Sequence, residues 1–312
     1  MTLTILLSPP VFILTTFMLL IKLAYADEAI QAKPAQSFDI SRYVPGQATP
    51  GYTPYTYTEA QQHKLNLFIF QPVHASSTPK PAILLFHSGG WVRGRPEWLF
   101  GLAKQFAEDG LVAIPVQYRL SDANTTPADA LNDACEAFRW VRAHASTLNI
   151  DASLIAGWGA SAGGQLVAAT ATAGCPTVIA GENAADAAAN ALILVSASVD
   201  TEQSAHYSRL LGPGADARRF SPIAHIRQGT PPTLHIAGAE DTVAPVSTAQ
   251  LYCEKVVAAH GRCQAIVYPG VGHLLTRNLL DQRSTLDPDP ELELAAYGEQ
   301  KKFLRDLGYL EP

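Results

Sequence analysis

A three-layer α/β/α sandwich around a mostly parallel central sheet is the fold this sequence predicts, on three observations. Short apolar runs rich in β-branched residues alternate with helical patterns along most of the chain. Parallel neighbours need crossover connections, so this alternation implies a sheet covered on both faces. The chain has 312 residues, 47% hydrophobic and 16% charged, the balance of an ordinary globular protein. No internal repeat divides it, and one α/β core accommodates this length.

The first 26 residues differ in kind. They are apolar, with Lys22 their only charge, and end in Ala24-Tyr25-Ala26 before Asp27 and Glu28, the pattern of a signal-peptidase site. Residues 1–26 are expected to be a cleaved export signal, which would leave a periplasmic or secreted protein without membrane attachment. The alternative is a retained membrane anchor, since no Lys or Arg precedes the apolar stretch and Ser8-Pro9-Pro10 interrupts it. Residues 27–60 carry Pro34, Pro45, Pro50 and Pro54 without apolar periodicity and read as an extended arm. Residues 61–312 then form a single domain.

Strands are expected at 65–70, 82–86 and 111–118, with a helix over about 97–108 between the last two. A long helix over about 127–147 has a clear start: Thr126 as cap, Pro127 at the first helical position and Asp129 in the first turn. Leu131, Ala134, Phe138 and Val141 then repeat on one face. A strand at 153–157, a helix after Ser161 and strands at 191–197 and 233–238 follow. A helix over about 245–260, a strand at 264–269 and a helix over about 291–307 complete the pattern. The stretches 184–191 and 199–231 read as irregular insertions near strand ends, and the second could line a site or be a surface excursion.

The net charge of −6, with no cluster of Lys or Arg, argues against a nucleic-acid partner. Four cysteines, Cys135, Cys175, Cys253 and Cys263, suit an oxidising compartment and allow three pairings. Cys253 and Cys263 flank a helix end closed by Gly261 and can meet across that turn, leaving Cys135 and Cys175 as buried thiols or a second pair. No spacing resembles a metal site, and no cofactor is expected.

Chemistry concentrates at the ends of the expected strands. Gly159-Ala160-Ser161-Ala162-Gly163 is a G-x-S-x-G at a strand-to-helix junction. A nucleophile elbow needs small residues there because the turn is too sharp for larger side chains, and the helix that follows aims its free amides at a developing oxyanion. Strand 82–86 runs into His87-Ser88-Gly89-Gly90-Trp91, whose successive glycines let backbone N–H groups converge on a substrate oxygen. Asp241 follows strand 233–238, and His273 lies in a glycine-punctuated loop after the last strand. Ser161, Asp241, His273 is the chain order of a hydrolase triad on an open α/β sheet, with Asp200 and Glu240 as rival acids. Each member has a plainer reading: Asp241 as a helix cap, His273 as a packed loop histidine. Trp91, Trp158 and Tyr207 are candidates for the walls of a substrate pocket, although large aromatics are more often core.

Together these residues resemble the α/β-hydrolase superfamily, and more closely its esterase/lipase branch with an H-G-G-G-W oxyanion loop, the hormone-sensitive-lipase-like and BD-FAE-like carboxylesterases. The resemblance spans about 64–308 and includes "QYRL" at 117–120, "DACEAFRWVRAH" at 133–144 and "SPIAHIRQGTPPTLHIAGAEDTVAP" at 221–245. It implies a serine esterase in which Gly89, Gly90 and Ala162 supply the oxyanion amides. It further implies two-step acyl transfer, and together with export and an open site it suggests short-chain esters, such as acetyl or feruloyl esters of plant polysaccharides or small xenobiotic esters. Two departures stand out. Ser88 replaces one glycine of the loop, and would be strained if that position needs a positive φ. Residues 27–60 are also short and Pro-rich for a helical cap, which favours an open site. A serine peptidase of the same superfamily and a non-catalytic binding protein on the same fold are the competing readings.

Overall fold

In the computed structural model, which describes residues 51–60, 63–73, 77–177 and 184–311, the chain opens with an antiparallel pair. β1 (Tyr52–Ala60) pairs with β2 (His63–Phe70), and β2 continues antiparallel onto β4 (Val112–Pro115). All other neighbours are parallel: β3 (Lys80–Phe86), β4, β5 (Ile150–Ala160), β6 (Ala191–Val195), β7 (Thr233–Gly238) and β8 (Cys263–Tyr268). The sheet order is β1-β2-β4-β3-β5-β6-β7-β8, eight strands among the described residues. Residues 1–50, where the export signal and most of the arm are expected, lie outside the described residues. β1 is an element the sequence does not announce: Pro54 is tolerated because β1 lies at the sheet edge, paired on one side only.

Helices cover both faces. On one side, α1 (Phe100–Glu108) and α6 (Pro290–Asp306) pack Phe106, Phe303 and Leu304 against Ile83, Leu85, Trp158 and Ile193. On the other, α2 (Pro127–Ala143), α3 (Ala162–Thr172) and α5 (Val246–Ala258) bury Phe138, Leu166, Val167 and Tyr252 against Leu84, Phe86, Leu192 and Leu194. Alternate residues of each central strand serve the two layers, which is why those strands are apolar throughout.

α2 starts as expected, with the Asp129 carboxylate accepting the Thr126 N–H at 2.8 Å. It stops at Ala143, four residues short of the expected end, because the chain turns through Asn149 (φ 56°) to enter β5. The expected insertion 199–231 is not wholly irregular: it carries α4 (Ala205–Leu211) and short 3₁₀ turns at Ala217–Phe220 and Pro222–Ala224. Both cysteine pairs sit at bonding geometry, Cys253–Cys263 with Cα atoms 5.0 Å apart and Cys135–Cys175 with 6.1 Å. Cys135 and Cys175 are therefore the second pair rather than free thiols. Among the described residues, no helix is long and apolar enough to cross a membrane.

Candidate active site

β5 ends at Ala160, α3 begins at Ala162, and Ser161 makes the whole turn between them at φ 52°, ψ −115°. That conformation is strained for any residue but glycine. It persists because the glycines on either side allow backbone to pack on backbone. A Cβ on Gly159 would meet the Gly163 carbonyl, and one on Gly163 would meet the carbonyls of Phe86 and His87. The Ser161 N–H donates to the Val195 carbonyl at 2.9 Å, which ties the turn to β6.

His273 follows β8 and Asp241 follows β7, so adjacent parallel strands deliver both groups to one edge of the sheet. Asp241 and His273 are each 5% exposed and Ser161 is 6% exposed, so the polar chain they form is shielded from water. The Ser161 hydroxyl donates to His273 Nε2 at 2.9 Å, and His273 Nδ1 donates to Asp241 Oδ2 at 2.9 Å. These partners assign the imidazole tautomer. Asp241 Oδ1 accepts the N–H groups of Val243 and Ala244, both at 2.8 Å, which fixes the carboxylate. The sequence's plain reading of Asp241, a cap of the chain that follows, therefore coexists with its bond to His273. Of the rival acids, Glu240 offers its backbone carbonyl to Gln282, and Asp200 lies 3.5 Å from the Ser221 hydroxyl.

The expected oxyanion loop leaves β3 at Phe86. Gly89 and Gly90 take φ values of 126° and 61°, conformations open to glycine. Ser88 is not among the positive-φ residues; Trp91 is, at 63°, so the departure from a third glycine is accommodated without strain at Ser88. The loop is braced from below by His87, whose Nδ1 donates to the Ser88 carbonyl at 2.7 Å and whose ring stacks on Tyr118 at 4.2 Å. Burial holds His87 neutral, lowering its pKa to about 4. Ala162, first residue of α3, carries a first-turn amide that no helical carbonyl can accept.

The three aromatic candidates are packed side chains. Trp91 is 3% exposed, donates to Gln165 Oε1 at 3.0 Å and meets Tyr207 edge-on at 4.8 Å. Tyr207 is fully buried in the layer beneath α4. Trp158 faces the α1–α6 layer, where it donates to Gln300 at 2.9 Å and lines an apolar cavity of about 390 Å³ with Leu102, Leu274 and Tyr297. Strand alternation explains this, because Gly157 and Gly159 face α2 and α3 and residue 158 must face away. Tyr207 thus serves the core, while Trp158 forms part of the wall of a cavity in the α1–α6 layer.

Sequence reasoning missed three polar side chains. Gln165 lies one helical turn beyond Ser161 and joins Trp91 to the Phe220 carbonyl at 2.9 Å, a place that helical spacing alone could have suggested. Ser196 (φ 45°) accepts the Leu274 N–H at 3.0 Å. Gln282 reaches in from the connection before α6, and its Oε1 accepts the N–H groups of Thr242 and His273, both at 3.0 Å. Its Nε2 donates to the Glu240 carbonyl at 2.8 Å. No local pattern marks either residue. From the expected insertion, His206 on α4 reaches the Gly90 carbonyl at 3.1 Å, so that segment lines the oxyanion loop.

Such an arrangement is chemically competent to raise the nucleophilicity of one hydroxyl and to receive its proton. The BD-FAE family model matches residues 67–256. Among curated proteins, Esterase LipC of Mycobacterium tuberculosis is 28% identical over 214 residues, which are 62% of this chain and 53% of that protein. The Arylesterase of Saccharolobus solfataricus is 33% identical over 111 residues, 35% of each chain. This chain spans about half or less of the length of these relatives. Among solved structures, Thermogutta terrifontis esterase 2 phosphoramylated by tabun is similar with a TM-score of 0.74 and 30% identity, covering 87% of this chain and 99% of that one. The butyrate-bound form of the same esterase gives 0.74 and 29%, covering 84% and 96%.

Proposed function

This chain belongs to the BD-FAE family of α/β-hydrolase esterases, and from that premise we propose that it is a serine carboxylic-ester hydrolase acting on short-chain acyl esters. The observation that carries the reading is the buried hydrogen-bonded chain from the Ser161 hydroxyl through His273 to Asp241, set on a left-handed turn.

His273 Nε2 takes the Ser161 proton as Oγ attacks the ester carbonyl, and Asp241 holds the resulting imidazolium. The amides of Gly89, Gly90 and Ala162 hold the oxyanion of the tetrahedral intermediate. His273 returns the proton to the leaving alcohol, which departs as the acyl-enzyme forms. Water, deprotonated by the same nitrogen, then attacks the acyl-enzyme, releasing the carboxylic acid and restoring the serine. Trp91, held by Gln165 beside the oxyanion glycines, is the aromatic best placed to shape the acyl side.

Short acyl groups are supported by the related esterase, solved with propionate and with butyrate bound. Acetyl or feruloyl esters of carbohydrates are the substrates proposed within that class. Export is part of the proposal, supported by the two cysteine pairs at bonding geometry, since thiols pair in oxidising compartments. Hydrolysis of p-nitrophenyl esters from acetyl to dodecanoyl tests the reading. Acetyl or butyryl is expected to be preferred, with Ser161→Ala inactive. A preference for dodecanoyl would contradict the short-chain assignment, and no turnover at any length would contradict the esterase.

A further inference from the structure

We infer that Gln282 is a positioning residue for this reaction: its single side chain fastens the acid loop to the histidine loop and sets the distance between His273 and its two partners. The inference rests on the esterase reading for its kinetic consequences, but its structural content is independent of it.

Asp241 and His273 arrive on two different loops, and the bond between their side chains is the contact that chemistry needs held. Gln282 spans the same two loops from behind. Its Oε1 uses both lone pairs, one for the Thr242 N–H and one for the His273 N–H, each at 3.0 Å. Its Nε2 closes the third side on the Glu240 carbonyl at 2.8 Å. At 5% exposure, water does not substitute for these bonds. The fit is tight, because a Cβ on Gly272 would occupy the space of the Gln282 amide.

The connection 277–289 is built to send this residue inward. Asp281 caps it by accepting the N–H groups of Arg283 and Ser284 at 3.1 and 2.9 Å, and Arg277 pairs with Asp287 at 2.8 Å. Arg283, next in the chain, offers its carbonyl to Arg93 of the oxyanion loop at 2.6 Å. Residues 282 and 283 therefore stitch together the three loops that carry acid, base and oxyanion amides. Glutamine suits the post and glutamate does not. A carboxylate would accept the same two N–H groups, but it would set an oxygen against the Glu240 carbonyl and a negative charge near Asp241.

Two variants and three readouts test this. In Gln282→Ala, kcat for a p-nitrophenyl ester is expected to fall about a hundredfold, the cost of a misplacement near 1 Å, with KM within about threefold. Gln282→Glu keeps the acceptor and adds charge. The titratable residues nearest it are His273 and Glu240, which it binds through their backbone, and Asp241 between Glu240 and Thr242, with Asp281 and Arg283 beside it in the chain and Glu240 exposed. A nearby carboxylate favours the imidazolium, so the acidic limb of the kcat/KM profile is expected to move to higher pH. The low-field proton resonance of His273 Nδ1 reports its bond to Asp241 whether or not any ester is turned over. It is expected in the wild type and lost to exchange in Gln282→Ala. That pair of spectra from a protein with no ester turnover would support the positioning role while refuting the esterase reading. A Gln282→Ala protein with wild-type kcat and resonance would overturn the inference. So would a glutamate variant that loses activity as alanine does with its acidic limb unmoved, since that would be a structural role only.

Discussion

The serine half of the site and the histidine half are held differently. Around Ser161, backbone packs on backbone, with Gly159 against Gly163 and Gly163 against the end of β3, and close approach confines the left-handed turn. Around His273, Gly238 likewise packs against the Val271 and Gly272 carbonyls, and side chains hold the backbone in addition. Gln282 takes the His273 N–H and Ser196 takes the Leu274 N–H, and between them they confine Leu274 and Leu275 at φ 54° and 58°. The first half should fail on added bulk, and the second on lost hydrogen bonds as well as on bulk at Gly238 or Gly272, where a Cβ would meet the Val271 and Gly272 carbonyls or the Gln282 amide.

The largest effect belongs to chemistry, where the halves act as one. Ser161→Ala and His273→Ala are each expected to lower kcat about ten-thousand-fold or more, and the double variant no further. Losses that multiply would mean the two groups act separately.

Buried histidines should distinguish the halves next. His87, under the oxyanion loop, and His235, on β7 below Asp241, are both held neutral by burial, each with its pKa lowered to about 4 from 6.5. The unfolded chain binds these protons below about pH 6.5, whereas the folded chain does so only near pH 4. Stability is therefore lost as pH falls through that window, by on the order of 3 kcal/mol for each histidine. The two differ in their bonds: His87 donates to Ser88, while neither ring nitrogen of His235 has a partner. Both His87→Leu and His235→Leu should reduce acid sensitivity in urea titrations at pH 4 and 7. At pH 7, His235→Leu should gain about 1 kcal/mol and His87→Leu should lose about that much. Equal signs at pH 7 would break the distinction.

Bulk and bonding can then be tested directly. Gly163→Ala pushes a methyl group into the Phe86 and His87 carbonyls and should cost about 1–3 kcal/mol by urea midpoint. Ser196→Ala adds no bulk and removes one acceptor, so it should cost about 1 kcal/mol, with kcat lowered several-fold. An unchanged midpoint in Gly163→Ala would deny that close approach holds the serine half.

This difference also explains what could be read from the sequence. The serine half is contiguous, so each glycine of G-x-S-x-G has a local purpose visible in the chain. The strand ends carrying Asp241 and His273 were legible because the apolar runs before them were. Gln282 was not, because an amide in a polar connection gains its meaning only from loops 40 and 9 residues away. β1 was hidden by Pro54 and by its Thr/Tyr-rich, largely exposed face. The side of the sheet that Trp158 serves was hidden by its nearness to Ser161 in sequence, because strand alternation sends it to the opposite layer.

Whether Ser161 is the nucleophile is tested most directly by covalent titration with paraoxon, a dialkyl aryl phosphate that also phosphorylates the related Thermogutta esterase. One p-nitrophenolate should be released per chain, the phosphoryl adduct should map to Ser161, and ester hydrolysis should fall in proportion to labelling. An adduct on another residue, or full labelling of Ser161 with hydrolysis retained, would contradict it.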